Sequence, residues 1–198
     1  MLDLSSSDKR ARIIEASVDV FADKGFNAAR VSDIAKRAGV ADGTIYLYFK
    51  NKEDLLLSVF EEKMDELRNS ATAELEKHTG PLDKIRAFAH HHFRAVREQR
   101  AVAEVLQVEL RLSKKFIKDY KPDKLFAYLG VLMELVREGQ ASGVIREDVD
   151  PFTIGWAFFG ALEEIGLSYV IALKRDRTFD LDAAADQVSE LFVRGIAA

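Results

Sequence analysis

The sequence predicts an all-α protein in which a small helix-turn-helix domain precedes a larger helical body. Apolar residues recur at spacings of three and four along nearly the whole chain, and no segment alternates convincingly as a half-buried strand would. The three prolines stand at positions 81, 122 and 151, so they interrupt few segments. Near the N-terminus, two short helical segments flank a glycine-containing turn, which is typical of a helix-turn-helix unit.

Composition narrows the class further. Hydrophobic residues make up 48% of the 198-residue chain and charged residues 31%, which indicates a packed globular core. The lack of cysteine excludes disulfides and thiol nucleophiles and suits a cytoplasmic protein. We expect no signal peptide and no membrane span. The net charge is −4, yet the first 52 residues carry nine Lys/Arg against seven Asp/Glu, which is compatible with a basic face there.

Local signals place the first four helices. The first is expected to end at Lys24-Gly25 and the second at Gly39. A third, short helix covers about residues 42–48. Asn51 is positioned to cap a long fourth helix that runs to about His78.

Five further helices are expected, which makes about nine in all. Asp150, followed by Pro151, should cap the eighth helix, and Asp180 should cap the ninth. Gly143 should end the seventh. The five helices are predicted over about residues 82–97, 100–111, 114–141, 151–173 and 181–195.

The stretch GVADGTIYLYFK, residues 39–50, has the chemistry expected of a helix that enters the major groove of DNA. Gly43 lets the backbone approach DNA closely, and Thr44 offers a hydroxyl and a methyl group to base edges. The phenol groups of Tyr46 and Tyr48 are suited to phosphate oxygens. Simple core packing is the alternative interpretation of these rings.

The same short helix needs an apolar side that holds it against the rest of the domain. Ile45 and Phe49 are four residues apart, so they share one face of the helix. We expect both to point into the small core formed with Phe21 and Ile34.

Residues 13–57 resemble the TetR family of transcriptional regulators. The blocks F..KGF, V.DIA..AGV, GT.Y.YF and K.DLL occur in the family's order and spacing. The resemblance implies a homodimeric repressor that a small molecule releases from operator DNA. It implies a DNA-binding domain over residues 1–52 and a helical ligand-binding and dimerisation domain over residues 53–198. We find no catalytic constellation, so an enzyme is not expected.

The sequence departs from the family pattern where the DNA-contacting helices begin. Ala29-Arg30 stands where Ser or Thr is frequent, and Ala41 stands where Ser is common. Asp42 is unusual, and it could accept a hydrogen bond from cytosine N4 or simply cap its helix. The candidate DNA contacts are Arg30, Ser32, Lys36, Ala41, Asp42, Gly43, Thr44, Tyr46, Leu47, Tyr48, Lys50 and Lys52.

The eighth helix is apolar on every side, with the run FTIGWAFFGAL over residues 152–162. Such a helix must be covered all round, by core, by a ligand or by a second subunit. We expect it to form a four-helix dimer bundle with the ninth helix, although ordinary core packing is the alternative for each residue. The candidate dimer contacts are Gly160, Glu163, Leu167, Val188 and Phe192.

The body is expected to enclose an apolar ligand pocket with arginines near its mouth for an anionic group. The apolar candidates are Phe93, Val96, Leu106, Leu110, Phe126, Leu129, Leu132, Trp156 and Phe159. The arginine candidates are Arg86 and Arg111, with Arg94 and Arg97 nearby. His90-His91-His92 is not expected to hold a metal, because consecutive residues of a helix point about 100° apart.

Two stretches of the body, LQVELRLS (106–113) and LVREGQASGVIRE (135–147), and the run GVADGTIYLYFKNKEDLL resemble a branch of the family that represses fatty-acid degradation. That resemblance implies long-chain acyl-CoA as the effector and no cofactor. Two alternatives stay open: a regulator of the same family that responds to a drug-like or aromatic ligand, and a helical lipid-binding protein that does not act on DNA.

Overall fold

The structure, a computed structural model, describes residues 6–109, 121–175 and 177–198. These residues form nine α-helices and one π-helical turn, Val105–Glu109, and their β pairing is limited to one antiparallel bridge between Ile145 and Ala197. The predicted all-α class is confirmed. The helices are α1 (Ser6–Ala28), α2 (Val31–Ala38), α3 (Asp42–Tyr48), α4 (Lys52–Leu75), α5 (Pro81–Glu98), α6 (Arg100–Glu104), α7 (Asp123–Ala141), α8 (Pro151–Lys174) and α9 (Leu181–Ile196).

The predicted helix ends agree with the structure to within a few residues. Gly25 interrupts α1 with a φ of 74°, at the position where the sequence predicted the end of the first helix. The fourth helix ends at Leu75 rather than at His78, because the last residues switch to tighter bonds from the N–H of residue i+3 to the C=O of residue i. Residues 110–111 of the predicted sixth helix and 114–120 of the predicted seventh lie outside the described residues. The predicted start of the seventh helix is an exception to the agreement: residues 121 and 122 are not helical and the helix begins at Asp123, since a proline disfavours the helical conformation in the residue before it.

Three predicted helix caps are confirmed. Asn51 Oδ1 accepts a hydrogen bond of 2.8 Å from the backbone N–H of Asp54, at the start of α4. Asp150 accepts from the N–H of Thr153 at 2.8 Å, and Asp180 accepts from two backbone N–H groups, each at 3.0 Å. Each side chain thus satisfies N–H groups that have no partner within the helix.

The chain divides into two compact units. The N-terminal unit comprises residues 6–63, 101–109 and 121, and the body unit comprises residues 64–100, 122–175 and 177–198. The predicted domain boundary after residue 52 stays a prediction. Helix α4 is shared, since its residues up to Lys63 belong to the N-terminal unit and the rest to the body.

In the N-terminal unit α1 packs against α2, α2 packs against α3, and the π-helical turn packs against α1. The four apolar residues expected in this small core are all buried: Phe21, Ile34, Ile45 and Phe49. Helix α3 has only seven residues, and Ile45 is the one among them that is buried. Its position therefore depends on few contacts and on the turn before it.

The body unit is built around α5, which packs against α7, α8 and α9. Phe158 of α8 and Phe192 of α9 bring their rings to 4.8 Å between centroids. A side chain at Gly155 would place its Cβ 3.0 Å from Met133 Cγ, so this glycine permits close packing of α8 on α7. Helices α5, α7, α8 and α9 therefore share one core.

Helix α8 is the one described helix that is long and apolar enough to cross a membrane, judged by length and composition alone. Only 33% of its most apolar window is buried within the single chain. Residues at spacings of three and four leave one stripe of it uncovered: Ala157, Gly160, Glu164, Ser168 and Ile171. This stripe of α8 therefore still requires burial against something outside the subunit, as the sequence predicted.

We expect Gly39→Ala and Gly43→Ala to change stability in opposite directions. Gly39 has a φ of 66°, and an added Cβ would lie 2.7 Å from Arg12 Nη2, so alanine there should cost roughly 1–2 kcal/mol. Gly43 lies within α3 with no atom within 4 Å of an added Cβ, so alanine should stabilise by up to about 1 kcal/mol. Thermal unfolding of both variants measures this, and a lower melting temperature for Gly43→Ala would contradict it.

Candidate DNA-binding surface and effector site

The turn between α2 and α3 is fixed by backbone hydrogen bonds and by one arginine. Gly39, in the left-handed conformation, donates its N–H to Lys36 O at 3.3 Å, and Val40 donates to Ala35 O at 3.0 Å. Arg12 of α1 donates a hydrogen bond from its Nη2 to the carbonyl oxygen of Ala38. These bonds satisfy the last carbonyl groups of α2 and set the direction in which α3 leaves.

Helix α2 begins without a side-chain cap from Arg30, because a guanidinium has no acceptor. Asp33 instead accepts the backbone N–H of Arg30 at 3.2 Å and pairs with Lys24 at 3.0 Å. The hydrogen bond from Lys24, and then that from the Arg30 N–H, lower the pKa of Asp33. The side chain of Arg30 thus takes no part in the cap and remains exposed.

The structure places all twelve candidate DNA contacts at the surface of the N-terminal unit. Thr44, Tyr48 and Lys52 are half-buried. The two with the largest exposed apolar surface are Tyr46, 57% exposed, and Leu47, 80% exposed. The remaining exposed residues are Arg30, Ser32, Lys36, Ala41, Asp42, Gly43 and Lys50.

A surface concavity of about 490 Å³ brings five of these residues together. Its lining includes Arg30 and Ser32 from the start of α2, Asp42 and Tyr46 from α3, and Lys52 from α4. Residues that are up to 22 positions apart in the sequence therefore contribute to one surface.

Asp42 does not act as the cap of α3. The cap position is Ala41, which makes no side-chain hydrogen bond, and no described residue donates a hydrogen bond to the Asp42 carboxylate. Asp54, Asp150 and Asp180, in contrast, all bind backbone N–H groups. The cap interpretation of Asp42 is therefore not supported, and its carboxylate is available to a partner.

Lys52 has a different role from the phosphate contact that the sequence suggested. Its Nζ lies 2.6 Å from Phe26 O, 2.9 Å from Ala29 O and 3.3 Å from Asn27 O, and it stands 4.6 Å from the centroid of the Phe26 ring. Because an ammonium has three N–H groups, these carbonyl oxygens use all of them. Lys52 ties the end of α1 to the start of α4.

The body unit contains a buried aromatic cluster formed by His92, Tyr128, Trp156 and Phe159 with neighbouring phenylalanines. The ring of Phe159 lies edge-on to those of His92, Tyr128 and Trp156, at centroid distances of 6.1, 6.1 and 6.4 Å. Tyr128 is fully buried, and its OH lies 3.1 Å from His92 Nδ1. Helices α5, α7 and α8 each supply part of this cluster.

His92 is neutral in the folded protein. Burial, and then the charge of His91, lower the pKa of His92 to about 3. Glu163 Oε1 lies 3.6 Å from His92 Nε2, a distance too long for a hydrogen bond. Burial, and then the charge of Glu163, raise the pKa of Tyr128, so that phenol keeps its proton.

Most of the predicted apolar ligand residues are in the core of the body. Phe93, Leu129 and Leu132 are no more than 2% exposed, while Phe126 is 44% exposed. A cavity beside Leu132, lined only by Gly155 and apolar side chains, has a volume of about 10 Å³, which is about the lower limit for one water molecule. Val96 and Phe159 are also buried and Trp156 is half-buried.

Three other predicted ligand-binding residues are not among the described residues of the body. Leu106 is half-buried in the N-terminal unit, so it is not part of the body's core. Leu110 and Arg111 lie outside the described residues.

The predicted head-group arginines are engaged by carboxylates. Arg86 donates to Glu190 at 3.1 and 3.2 Å and to Asp83 at 3.1 Å, which joins α5 to α9. Arg94 donates to Glu74 at 2.9 Å. Arg86 and Arg94 nevertheless line one surface concavity of about 410 Å³ together with Lys77, His78 and His90.

Glu163 was expected at the dimer interface, and this contact stays a prediction. Glu163 is directed towards His92, whereas its neighbour Glu164 is exposed on the outer stripe of α8, because successive helical residues point about 100° apart. Val188 is only 7% exposed within the subunit, which leaves it little area for a partner. Gly160 is exposed, and Leu167 and Phe192 are half-buried.

The three consecutive histidines diverge, as their spacing required. His90 is half-buried and pairs with Asp186 at 3.0 Å, whereas His91 and His92 are 6% and 2% exposed. Among the described residues no group of three His, Asp or Glu side chains could hold a metal ion.

Sequence reasoning missed Arg12 and the pairing of His92 with Tyr128. Both interactions join different helices, over separations of 26 and 36 residues. The only local signal was the aromatic content of α5, α7 and α8.

Comparison with known proteins assigns the family. Residues 13–59 match the family "Bacterial regulatory proteins, tetR family", and residues 60–195 match "YsiA-like protein, C-terminal region". The chain belongs to the TetR family. It is accordingly a DNA-binding transcriptional regulator and not an enzyme. The family predicted from the sequence is confirmed.

Individual relatives cover nearly the whole chain. The fatty acid metabolism regulator protein of Bacillus subtilis is 38% identical over 188 residues, 95% of each protein. The crystal structure of transcriptional regulator FadR from Bacillus subtilis, in complex with stearoyl-CoA, is similar at a TM-score of 0.85 and covers 94% of this chain and 98% of that one. The fatty acid degradation regulator FadR of Bacillus halodurans has the same TM-score and coverage, at 36% identity.

We expect the free energy of unfolding to fall as the pH is lowered from about 6.5 towards 3, and His92 to account for part of that fall. In this range the unfolded chain binds a proton at His92 that the folded protein does not, so acid favours unfolding. Urea unfolding between pH 7 and 4 should show that the free energy of unfolding falls less steeply with decreasing pH for His92→Gln than for wild type. The glutamine keeps a polar partner for Tyr128. Equal pH slopes for the variant and the wild type would contradict the assignment.

Proposed function

We propose that this regulator represses fatty-acid degradation genes and leaves its operator when it binds long-chain acyl-CoA. The observation that carries the proposal is the 38% identity, over 95% of the chain, to the fatty acid metabolism regulator of Bacillus subtilis. A regulator from that organism with the same identity and the same fold binds stearoyl-CoA. The similarity includes the body, which is the part of the chain that would hold an effector.

The apolar body supports an acyl chain as the buried part of the effector. Phe93, Leu129 and Leu132 are buried apolar residues of the body, and ligand pockets for apolar molecules have such linings. Pockets of this kind span about 300–1,000 Å³, far above the cavity beside Leu132. We therefore infer that acyl-CoA selects a more open conformation of the body than the one described.

A shift between two conformations explains release from DNA. A repressor dimer needs two recognition helices that match successive major grooves, about 34 Å apart. An effector that binds the open conformation better lowers the population of the DNA-binding one. Helix α4 contributes residues to both units, so it is the covalent route by which the body can affect the N-terminal unit.

Dimerisation is supported by the outer side of α8 and α9. The uncovered stripe of α8 includes Ala157, Gly160 and Ile171, and Leu191 of α9 is 70% exposed. Small residues allow close helix approach, and apolar ones favour burial against a second subunit. We place the partner copy on this surface and the regulator in the cytoplasm with its DNA.

On the N-terminal unit we assign phosphate contacts and base contacts to different residues. Arg30, Lys36, Lys50, Tyr46 and Tyr48 carry donors suited to phosphate oxygens. Asp42 and Thr44, at the start of α3, are suited to base edges, with Asp42 accepting from cytosine N4. Leu47, exposed and apolar, is suited to the methyl group of thymine. Ser32, Ala41 and Gly43 allow close approach of the backbone.

A second candidate function is supported by Glu163. A carboxylate beside an aromatic cluster is also a site for an organic cation. A TetR-family regulator that responds to a lipophilic aromatic cation is therefore the alternative, and the release experiment separates the two.

We expect micromolar palmitoyl-CoA or lauroyl-CoA to release the protein from a fluorescent operator selected from random DNA. Free palmitate and free CoA should not release it, because neither provides both the acyl chain and the thioester. Fluorescence anisotropy measures release. If acyl-CoA has no effect while an aromatic cation releases the protein, the alternative function replaces the proposed one.

We expect operator binding to separate the two kinds of DNA contact. Lys50→Gln should reduce the slope of log affinity against log salt by about 0.9, since one phosphate contact is lost. Leu47→Ala should leave that slope unchanged but should lower affinity by about 0.8 kcal/mol, roughly fourfold, on thymine-containing operator.

The matched control is an operator in which single thymines are replaced by uracil. Replacement of one of these thymines should lower the operator affinity of wild type by the same factor of roughly four. It should leave the affinity of Leu47→Ala unchanged. A Leu47→Ala protein that still prefers thymine over uracil at every position would rule out the methyl contact.

A further inference from the structure

Three buried ring nitrogens of the body have no hydrogen-bond partner among the described residues: His91 Nδ1 and, in the aromatic cluster, His92 Nε2 and Trp156 Nε1. An indole N–H is a donor only, so Trp156 can be satisfied only by an acceptor. Buried polar atoms without partners are rare in folded proteins, and each one calls for an explanation. Packing alone does not explain why these nitrogens are present, because an apolar ring would fill the same space without leaving a hydrogen bond unmade.

His92 Nε2 and Trp156 Nε1 belong to the same aromatic cluster. The ring of Phe159 lies edge-on to His92 and to Trp156, at 6.1 and 6.4 Å between centroids. Two further rings lie close, with Phe93 at 5.8 Å from the His92 ring and Phe126 at 5.8 Å from the Trp156 ring. The ring of Phe159 is thus a neighbour of both side chains that carry these nitrogens.

The Glu163 carboxylate, 3.6 Å from His92 Nε2, favours the tautomer of His92 that carries its proton at Nε2, and the hydrogen bond to Tyr128 is compatible with that tautomer. Tyr128 is fully buried and keeps its phenolic proton, since burial raises its pKa. Its OH lies 3.1 Å from His92 Nδ1 and can donate to that nitrogen. A neutral imidazole that accepts at Nδ1 carries its own proton at Nε2. The cluster therefore offers two N–H donors.

The charge nearby limits what these donors can bind. Glu163 Oε1 lies 3.6 Å from His92 Nε2, so a second carboxylate at this place would face a like charge in a poorly solvated site. A neutral carbonyl oxygen would accept the hydrogen bonds without that repulsion. The thioester of an acyl-CoA is neutral, whereas a free fatty acid carries a carboxylate.

We propose that Trp156 Nε1–H and His92 Nε2–H donate hydrogen bonds to the thioester carbonyl of the acyl-CoA effector, and that Glu163 excludes the carboxylate of a free fatty acid. This inference rests on the proposed function. It assigns the discrimination between activated and free fatty acids to three side chains, from α5 and α8, that lie around Phe159.

The test removes the carbonyl from the ligand and the donor from the protein. Binding of palmitoyl-CoA is compared by calorimetry with binding of S-hexadecyl-CoA, a thioether in which a methylene group replaces the carbonyl. Wild type should prefer palmitoyl-CoA by about 5- to 10-fold, and Trp156→Phe should lose most of that preference. Phe152→Leu, a truncation of the ring 6.2 Å from Trp156, is the control and should keep the preference.

Spectroscopy provides a readout that packing would not change. In palmitoyl-CoA labelled with ¹³C at the carbonyl, the C=O stretch should move to lower frequency on binding to wild type and should move less on Trp156→Phe. Trp156 is the single tryptophan of the chain, so its fluorescence also reports binding in wild type.

Glu163→Gln tests the exclusion of free fatty acids. The variant should bind palmitate at least tenfold more tightly than wild type does, while its affinity for palmitoyl-CoA changes little. Unchanged palmitate binding would overturn the role of Glu163. Equal affinity of wild type for palmitoyl-CoA and S-hexadecyl-CoA would overturn the donor role but leave acyl-CoA as effector, whereas binding of neither would overturn the proposed function as well.

Discussion

The left-handed turn at Gly39 is the constraint on which the DNA-binding surface depends. Helices α2 and α3 have eight and seven residues, and α3 buries only Ile45 within its own length. Such short helices bring little packing energy of their own. Their relative direction is therefore set by the turn, where the absence of a Cβ at Gly39 makes room for Arg12 and lets that arginine bind the carbonyl of Ala38. Every candidate contact on α3 inherits its position from this arrangement.

Around that turn most charged groups are used inside the unit. Lys24 pairs with Asp33, Arg37 with Asp19 at 2.6 Å, and Lys52 binds three carbonyl oxygens. Exposed pairs of this kind contribute little to stability, but they decide which charges stay available to DNA. Asp42 and the guanidinium of Arg30 remain available, and they line the same concavity. The charged groups that this unit offers to DNA are thus those that are not engaged in ion pairs or hydrogen bonds within it.

The body differs, because most of its predicted pocket residues are buried while the outer side of α8 is uncovered. Under the proposed function an acyl chain would have to separate the buried residues, and the free energy of that opening would reduce the apparent affinity for the effector. The same opening would create a second conformation that the effector binds better. A permanently open tunnel would bind the effector without shifting the protein between two conformations. The unsatisfied nitrogens of His92 and Trp156 mark where a polar group of the effector would recover lost hydrogen bonds.

The sequence by itself determined the elements that depend on neighbours within one turn of chain. The caps at Asn51, Asp150 and Asp180, the breaks at Gly25 and Gly39, and the all-α class follow from local hydrogen bonding and from the left-handed backbone that glycine favours. The helix-turn-helix blocks also identified the family, because their spacing is local.

Only the tertiary structure decided which side chains meet across helices. It assigned Lys52 to the end of α1, Arg86 to α9, and Glu163 rather than Glu164 to the aromatic cluster. The physical reason is geometric. A helical period fixes the angle between successive residues, but the face that turns inward depends on how separate helices pack, and a long charged side chain reaches whichever partner that packing brings within a few ångströms.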